Sequence, residues 1–245
     1  MIKKTEGIVL RSVKHQEANL ITTLYTRDFG IKSFIITGYR STRSRRKHSY
    51  FQPMSLVEIV YQERPNRDLH KISESKIAHL LHEAQTSPIK LSLGLAMMEI
   101  FYDVVKEEEA QAELYYFLRN TILMLDQSQQ RLIQLFLYFL VHLTRYLGFF
   151  PYDQSEGLDS VQFDVKSGTL SAAQANPDRI AWLLRAFMHS ELTPLPEPQS
   201  CQQITFAGEE KRKLIRLLFT YYQEHIQGFR YPQTMKVFAE VFGFG

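Results

Sequence analysis

Apolar and polar residues alternate with a period of two in a series of short runs over the first 75 residues of this chain. Glu6–Arg11 (E-G-I-V-L-R) is short and rich in strand formers. Leu20–Thr26 sets Leu20, Thr22 and Leu24 against Ile21, Thr23 and Tyr25. Arg27-Asp28-Phe29-Gly30 supplies turn chemistry, and Ile31–Thr37 follows as a third strand, so the pair reads as a hairpin. Leu56–Tyr61 reads as a fourth strand and Leu69–Ser73 as a weaker fifth, with Pro65-Asn66 turning between them. Five short strands of this kind predict a small closed barrel, because closure removes the exposed edges of an open sheet.

From there the period changes to that of helices. Lys76–Ala84 predicts a short joining helix, and Pro88 suits the first turn of a helix reaching about Lys106. Ile89, Leu93, Met97, Ile100 and Val104 are spaced for one face of it. Glu107-Glu108-Glu109 precedes a helix over Ala112–Leu125, where acids complement the positive helix end. Asp126 and Gln129 match a capping box for a helix over Gln130–Leu147. That helix is apolar nearly all round and reads as a buried central element ended by Gly148. Val161–Leu170 alternates around Ser167-Gly168 and predicts a hairpin. Asn176-Pro177 reads as a helix start, with Trp182 on the helix that follows. Pro194, Pro196 and Pro198 make a stiff connector, and helices are expected over Gly208–Gln227 and Thr234–Phe242.

One stretch fits neither pattern. From Arg40 to Lys47, five of eight residues are Arg or Lys and no acid interrupts them. Such a run cannot enter a core, because each buried charge would need a partner. It reads as a basic loop between the third and fourth strands, flanked by Tyr39, Tyr50 and Phe51. Cations neutralise phosphates and aromatic faces stack on exposed bases. Strand count alone also allows an SH3-like barrel; the long basic loop favours the five-stranded oligonucleotide-binding (OB) barrel. The net charge of +3 hides an asymmetry: residues 1–80 carry 15 Lys and Arg against 7 Asp and Glu, and residues 81–245 carry 14 against 19. A basic front half points to a polyanion there. The fold class expected is therefore α+β, an OB-type barrel over residues 1–78 followed by an α-helical bundle over 79–245 with a hairpin insertion near 158–171.

Other chemistry is hard to place. Cys201 is the single cysteine, which excludes an internal disulfide and a cysteine-based zinc site and suits a reducing cytosol. The apolar run Ile8-Val9-Leu10 behind Lys3-Lys4 is too short for a signal peptide, and Leu132–Leu143 is too short for a membrane span. No phosphate-binding loop, dinucleotide fingerprint or nucleophile elbow is present. His79, His82 and Glu83 share a face of the expected joining helix, but no further metal ligand is evident, so no metal or other cofactor is expected. Tyr25, Phe34 and Tyr61 read as barrel core, and Tyr39 and Tyr50 as base-stacking residues at the loop ends.

The order of several motifs carries a resemblance. Thr5-Glu6-Gly7-Ile8-Val9-Leu10-Arg11, then Glu17-Ala18-Asn19-Leu20-Ile21, then Leu24–Gly30, then Gly38 with its basic run, then Phe51-Gln52-Pro53, resembles the opening of the RecO family of bacterial DNA repair proteins. Arg145–Pro151 and Phe229-Arg230-Tyr231-Pro232 resemble later parts of that family. One departure is plain: many members carry a four-cysteine zinc site after the L-G-Y-x-P motif, and Tyr152–Gly157 here has no cysteine.

The resemblance implies a non-enzymatic mediator of recombination and repair that binds single- and double-stranded DNA. It implies annealing of complementary strands and loading of the recombinase with the partner RecR. It also implies recognition of the acidic C-terminal tail of single-strand DNA-binding protein, in a cytoplasmic, nucleoid-associated setting. The DNA contacts expected are Arg40, Arg43, Arg45, Arg46 and Lys47, with Tyr39 and Tyr50 at the loop ends and Lys32 and Arg11 on the same face. Arg119 and Arg131, which interrupt apolar helices, are the expected contacts for the acidic tail. An RNA-binding OB module of the translation machinery is the rival reading, and an enzyme using a His/Asp site in the helical half is a third.

Overall fold

In a computed structural model the chain divides into two compact units, Met1–Gln127 and Ser128–Gly245. The structure describes residues 1–16, 19–37, 49–63, 67–106, 109–155, 158, 160–173, 178–190, 205 and 207–235.

The first unit is built on five strands: β1 (Ile2–His15), β2 (Asn19–Thr26), β3 (Gly30–Thr37), β4 (Leu56–Gln62) and β5 (Leu69–His79). They close in the order β1-β2-β3-β5-β4, with β4 returning to β1. All neighbours are antiparallel except β3 and β5, where Phe34 pairs with His70 in parallel. The expected OB-type barrel is present. β1 is longer than its sequence pattern suggests because it serves two partners. Gly7 and Ile8 face both β2 and β4, and a register shift between Val9 and Arg11 bends the strand between them. The interior is filled by Val9, Leu20, Leu24, Phe34, Ile36, Phe51, Val57, Ile59 and Tyr61, so Phe34 and Tyr61 are core as expected. Tyr25 is equally buried but points outward.

The expected helix over Lys76–Ala84 does not form. Residues 76–79 continue β5, where Lys76 pairs with Glu58 and His79 with Leu56. β4 needs a partner along its whole length for the barrel to close, and this outweighs local helix preference. Glu58 then bridges three strands, holding Lys4 at 2.9 Å and Lys76 at 3.2 Å.

Helices α1 (Pro88–Val104) and α2 (Ala112–Gln127) complete this unit. Leu93, Met97, Ile100 and Val104 are buried as the spacing predicts, whereas Ile89 is exposed. Tyr25 packs edge-on against Phe101 of α1 at 4.9 Å and lies beside Tyr115 of α2. Asp126 does not cap the next helix. It is the penultimate residue of α2, buried, and its carboxylate accepts the backbone N–H groups of His82, Glu83 and Ala84.

The second unit holds α3 (Leu132–Tyr146), β6 (Tyr152–Asp153), β7 (Val161–Asp164), β8 (Thr169–Ala172), α4 (Arg179–Met188) and α5 (Gly208–His225). α3 is the central element: every residue from Leu135 to Thr144 is buried. Its N-cap is Arg131, in the left-handed region at φ 61°, with no side-chain capping bond. Gly148 ends it at φ +82°, and the Phe149 N–H returns to the Thr144 carbonyl. The expected hairpin is β7–β8, turning at Gly168, and β6 adds a third strand parallel to β8. α4 is capped by Asp178, which accepts the Ile180 N–H at 2.9 Å. Asn176-Pro177, the three prolines and Cys201 lie outside the described residues, as does the last expected helix beyond residue 235.

Candidate nucleic-acid interface

Arg40, Arg43, Arg45, Arg46, Lys47 and Tyr39 lie outside the described residues. The ends of the segment that carries them are described. β3 delivers the chain at Thr37, and from Ser49 onward it is fixed to the barrel. The Met54 N–H bonds to the Val9 carbonyl at 2.8 Å and the Val9 N–H to the Ser55 carbonyl at 3.0 Å. Ser12 Oγ donates to the Phe51 carbonyl at 2.6 Å. Gln85 Nε2 donates to the Pro53 carbonyl and to Ser55 Oγ. The basic stretch therefore returns to a rigid root at the bend of β1. Tyr50 belongs to that root: its ring is half-buried against the barrel core.

The helices cover part of the barrel's outer face, where Tyr25 meets Phe101, and leave a groove beside it. The groove, of about 510 Å³, runs between β3, the start of β5 and the C-terminal end of α1. Lys32 and Ser33 of β3 line one side, Arg67 and His70 the second, Tyr102 and Lys106 the third. Asp68 and Asp103 add two carboxylates. Burial first, and then the Lys32 ammonium, hold the His70 imidazole below its ordinary value, so it is neutral near pH 7. Three cations and two acids thus line the groove. Arg11 does not line the groove, but its guanidinium lies over the Tyr102 ring at 4.8 Å. Of the expected contacts, Lys32 lines the groove and Arg11 touches a residue, Tyr102, that also lines it.

Arg119 is half-buried on α2, in the first unit, and Arg131 is exposed at the start of α3, in the second. The premise of a shared helix face for His79, His82 and Glu83 does not hold. His79 ends β5, and His82 and Glu83 sit in the turn tied to Asp126. No cluster of potential metal ligands occurs among the described residues. Tyr102, Arg67, His70 and Lys106 carried no signal in the sequence. They belong to a helix end and a strand start about 35 residues apart, and only tertiary structure joins them.

A closed barrel of OB order joined to helices is a scaffold on which oligonucleotide-binding proteins are built. The family model described as "Recombination protein O N terminal" matches residues 1–81, and "Recombination protein O C terminal" matches residues 85–234. The chain belongs to the recombination protein O family, with its role in DNA repair and recombination. It is 29% identical to the DNA repair protein RecO of Christiangramia forsetii, over 99% of this chain and 100% of the relative. The RecO proteins of Flavobacterium psychrophilum and Bacteroides fragilis are 29% and 28% identical, over 98% and 99% of this chain and 98% and 100% of theirs. No described helix is long and apolar enough to cross a membrane.

Proposed function

We propose that this chain is a non-enzymatic recombination mediator that binds single- and double-stranded DNA through its barrel and anneals complementary strands. The observation that carries this reading is the position of the Arg40–Lys47 run, inserted between β3 and β4 of a closed OB-order barrel and returning to a hydrogen-bonded root. Two strands repel each other as polyanions, and a protein that screens both lowers that barrier. Tyr39 and Tyr50 flank the run and add stacking surface. In this reading the barrel of residues 1–78 is the main DNA-binding part, and the helical part within residues 79–245 also takes proteins: RecR, and the acidic tail of single-strand DNA-binding protein. Arg131 supports the second role. It stands at the positive end of α3, where a carboxylate is favoured. Charge reversal at Arg119 and Arg131 should weaken tail-peptide binding and leave naked DNA binding intact. The working compartment is the cytoplasm, at the nucleoid.

The test is annealing of complementary strands coated with single-strand DNA-binding protein, with and without the chain. Acceleration above the spontaneous rate is expected. No acceleration, together with preferential binding of structured RNA in competition with single-stranded DNA, would overturn the reading in favour of an RNA-binding module.

A further inference from the structure

We propose that the groove between β3 and the end of α1 receives one unpaired nucleotide of single-stranded DNA, with its base stacked on Tyr102. This rests on the reading of the barrel as a DNA-binding domain, and it adds a site that distinguishes single strands from duplex.

The size is right for such a ligand. About 510 Å³ lies within the range of roughly 300–1,000 Å³ usual for small-molecule pockets. The chemistry is mixed in the way a nucleotide is mixed. Lys32, Arg67 and Lys106 supply cations for a phosphate. Asp68 and Asp103 would repel a phosphate, but a carboxylate accepts the exocyclic amines of bases. A groove built for phosphate alone would not carry them. Tyr102 supplies a half-buried aromatic ring, and Arg11 from outside the groove fixes it from one side. A ring held this way loses little freedom when a base stacks on it.

Selectivity for single strands follows from access. In duplex DNA each base is paired and stacked between neighbours, so it reaches a side pocket only by being flipped out. The Arg40–Lys47 run has no such requirement, because phosphates are exposed in both forms. The basic run therefore sets general affinity and the groove adds to it for single strands alone.

The experiment measures binding of the full chain to a single-stranded oligonucleotide and to its duplex, by anisotropy, over a range of salt. Tyr102→Ala should weaken single-strand binding by about fivefold to a hundredfold and leave duplex binding unchanged. Tyr102→Phe, which keeps the ring, should behave as the parent. Lys106→Gln, at an exposed position, carries the test if Tyr102→Ala does not fold. It should flatten the single-strand salt slope by about 0.7 without changing duplex binding. Parent-like single-strand binding by Tyr102→Ala and Lys106→Gln, or equal losses on both DNA forms, overturns the groove and leaves the barrel reading standing. A parent chain that binds neither oligonucleotide overturns both.

Discussion

The carboxylate of Asp126, near the end of α2, accepts the backbone N–H of Ala84 at 2.8 Å across 42 residues of sequence. The same group accepts the N–H groups of Glu83 at 2.7 Å and His82 at 2.9 Å. Lys90 Nζ donates to the Asp126 carbonyl at 2.7 Å and also pairs with Glu83. The turn after β5 is thus wrapped around one buried anion. Burial alone would raise its pKa; the three N–H groups outweigh burial and hold it below the ordinary value.

Asp126→Asn should therefore destabilise the chain by about 1–3 kcal/mol at neutral pH, since the amide is a weaker acceptor and brings donors the nest cannot use. The folded-state pKa is depressed, so this contribution is complete above the unfolded value of about 3.9 and disappears as pH falls through the folded one. Denaturant melts of parent and Asn variant should differ at pH 7 and converge in acid. A constant difference across that range would mean that the charge is not what matters.

Gly94 has a different constraint. A Cβ built there would lie 1.9 Å from Met54 Sδ and 3.2 Å from a Leu125 methyl. Met54 is fully buried at the root of the basic stretch, so its side chain has no open space to swing into. Gly94→Ala should cost about 1–3 kcal/mol through overpacking, and Met54→Ala in the same chain should relieve part of that loss. A double-mutant cycle measures the coupling directly; simple additivity would show that α1 does not press on Met54.

The barrel was legible in the sequence because alternation with period two survives in any strand with one wet face. Leu20, Leu24, Phe34 and Ile59 are core for that reason. The extension of β5 was not legible. None of its residues is buried, and only pairing with Glu58, Val57 and Leu56 holds them extended. Asp126 was misread because its spacing to Gln129 matches a local cap, while its real partners are more than 40 residues away. The groove was invisible for the same reason, whereas the basic run could be read at once because charge density needs no tertiary partner to be recognised.

In the second unit Asp153 joins β6 to α4. It holds Arg185 at 2.9 Å and His189 at 3.2 Å, and accepts the N–H and hydroxyl of Ser155. Burial opposes its charge, and these donors together push its pKa down to about 2. Asp153→Asn should cost about 2 kcal/mol near pH 7. Because the pKa is depressed, the difference should vanish between about pH 4 and pH 2. A strong chelator should leave the melting temperature unchanged, since the Asp153 contacts to Arg185 and His189 already tie β6 to α4. Stoichiometric zinc on elemental analysis, lost with structure on chelation, would contradict this.

On the proposed reading, the basic run sets the salt dependence of DNA binding. If Arg40, Arg43, Arg45, Arg46 and Lys47 each neutralise one phosphate of a single strand, the slope of log K against log salt is about −3.5. Raising salt from about 50 to about 200 mM should then weaken binding about a hundredfold. Replacing Arg43, Arg45 and Arg46 with Ala should flatten the slope by about 2 and weaken binding similarly for every base sequence, because phosphate contacts position without specifying. Annealing should fall in parallel, since the same charges screen both strands. Thermal stability should stay close to the parent's, because the barrel core of Val9, Leu24, Phe34 and Ile59 and the hydrogen bonds at Met54 and Ser55 do not involve these residues. A triple variant with the parent's slope and annealing rate would move the phosphate contacts off this run. Lys32, Arg67 and Lys106 around the groove would then be the next cations to replace.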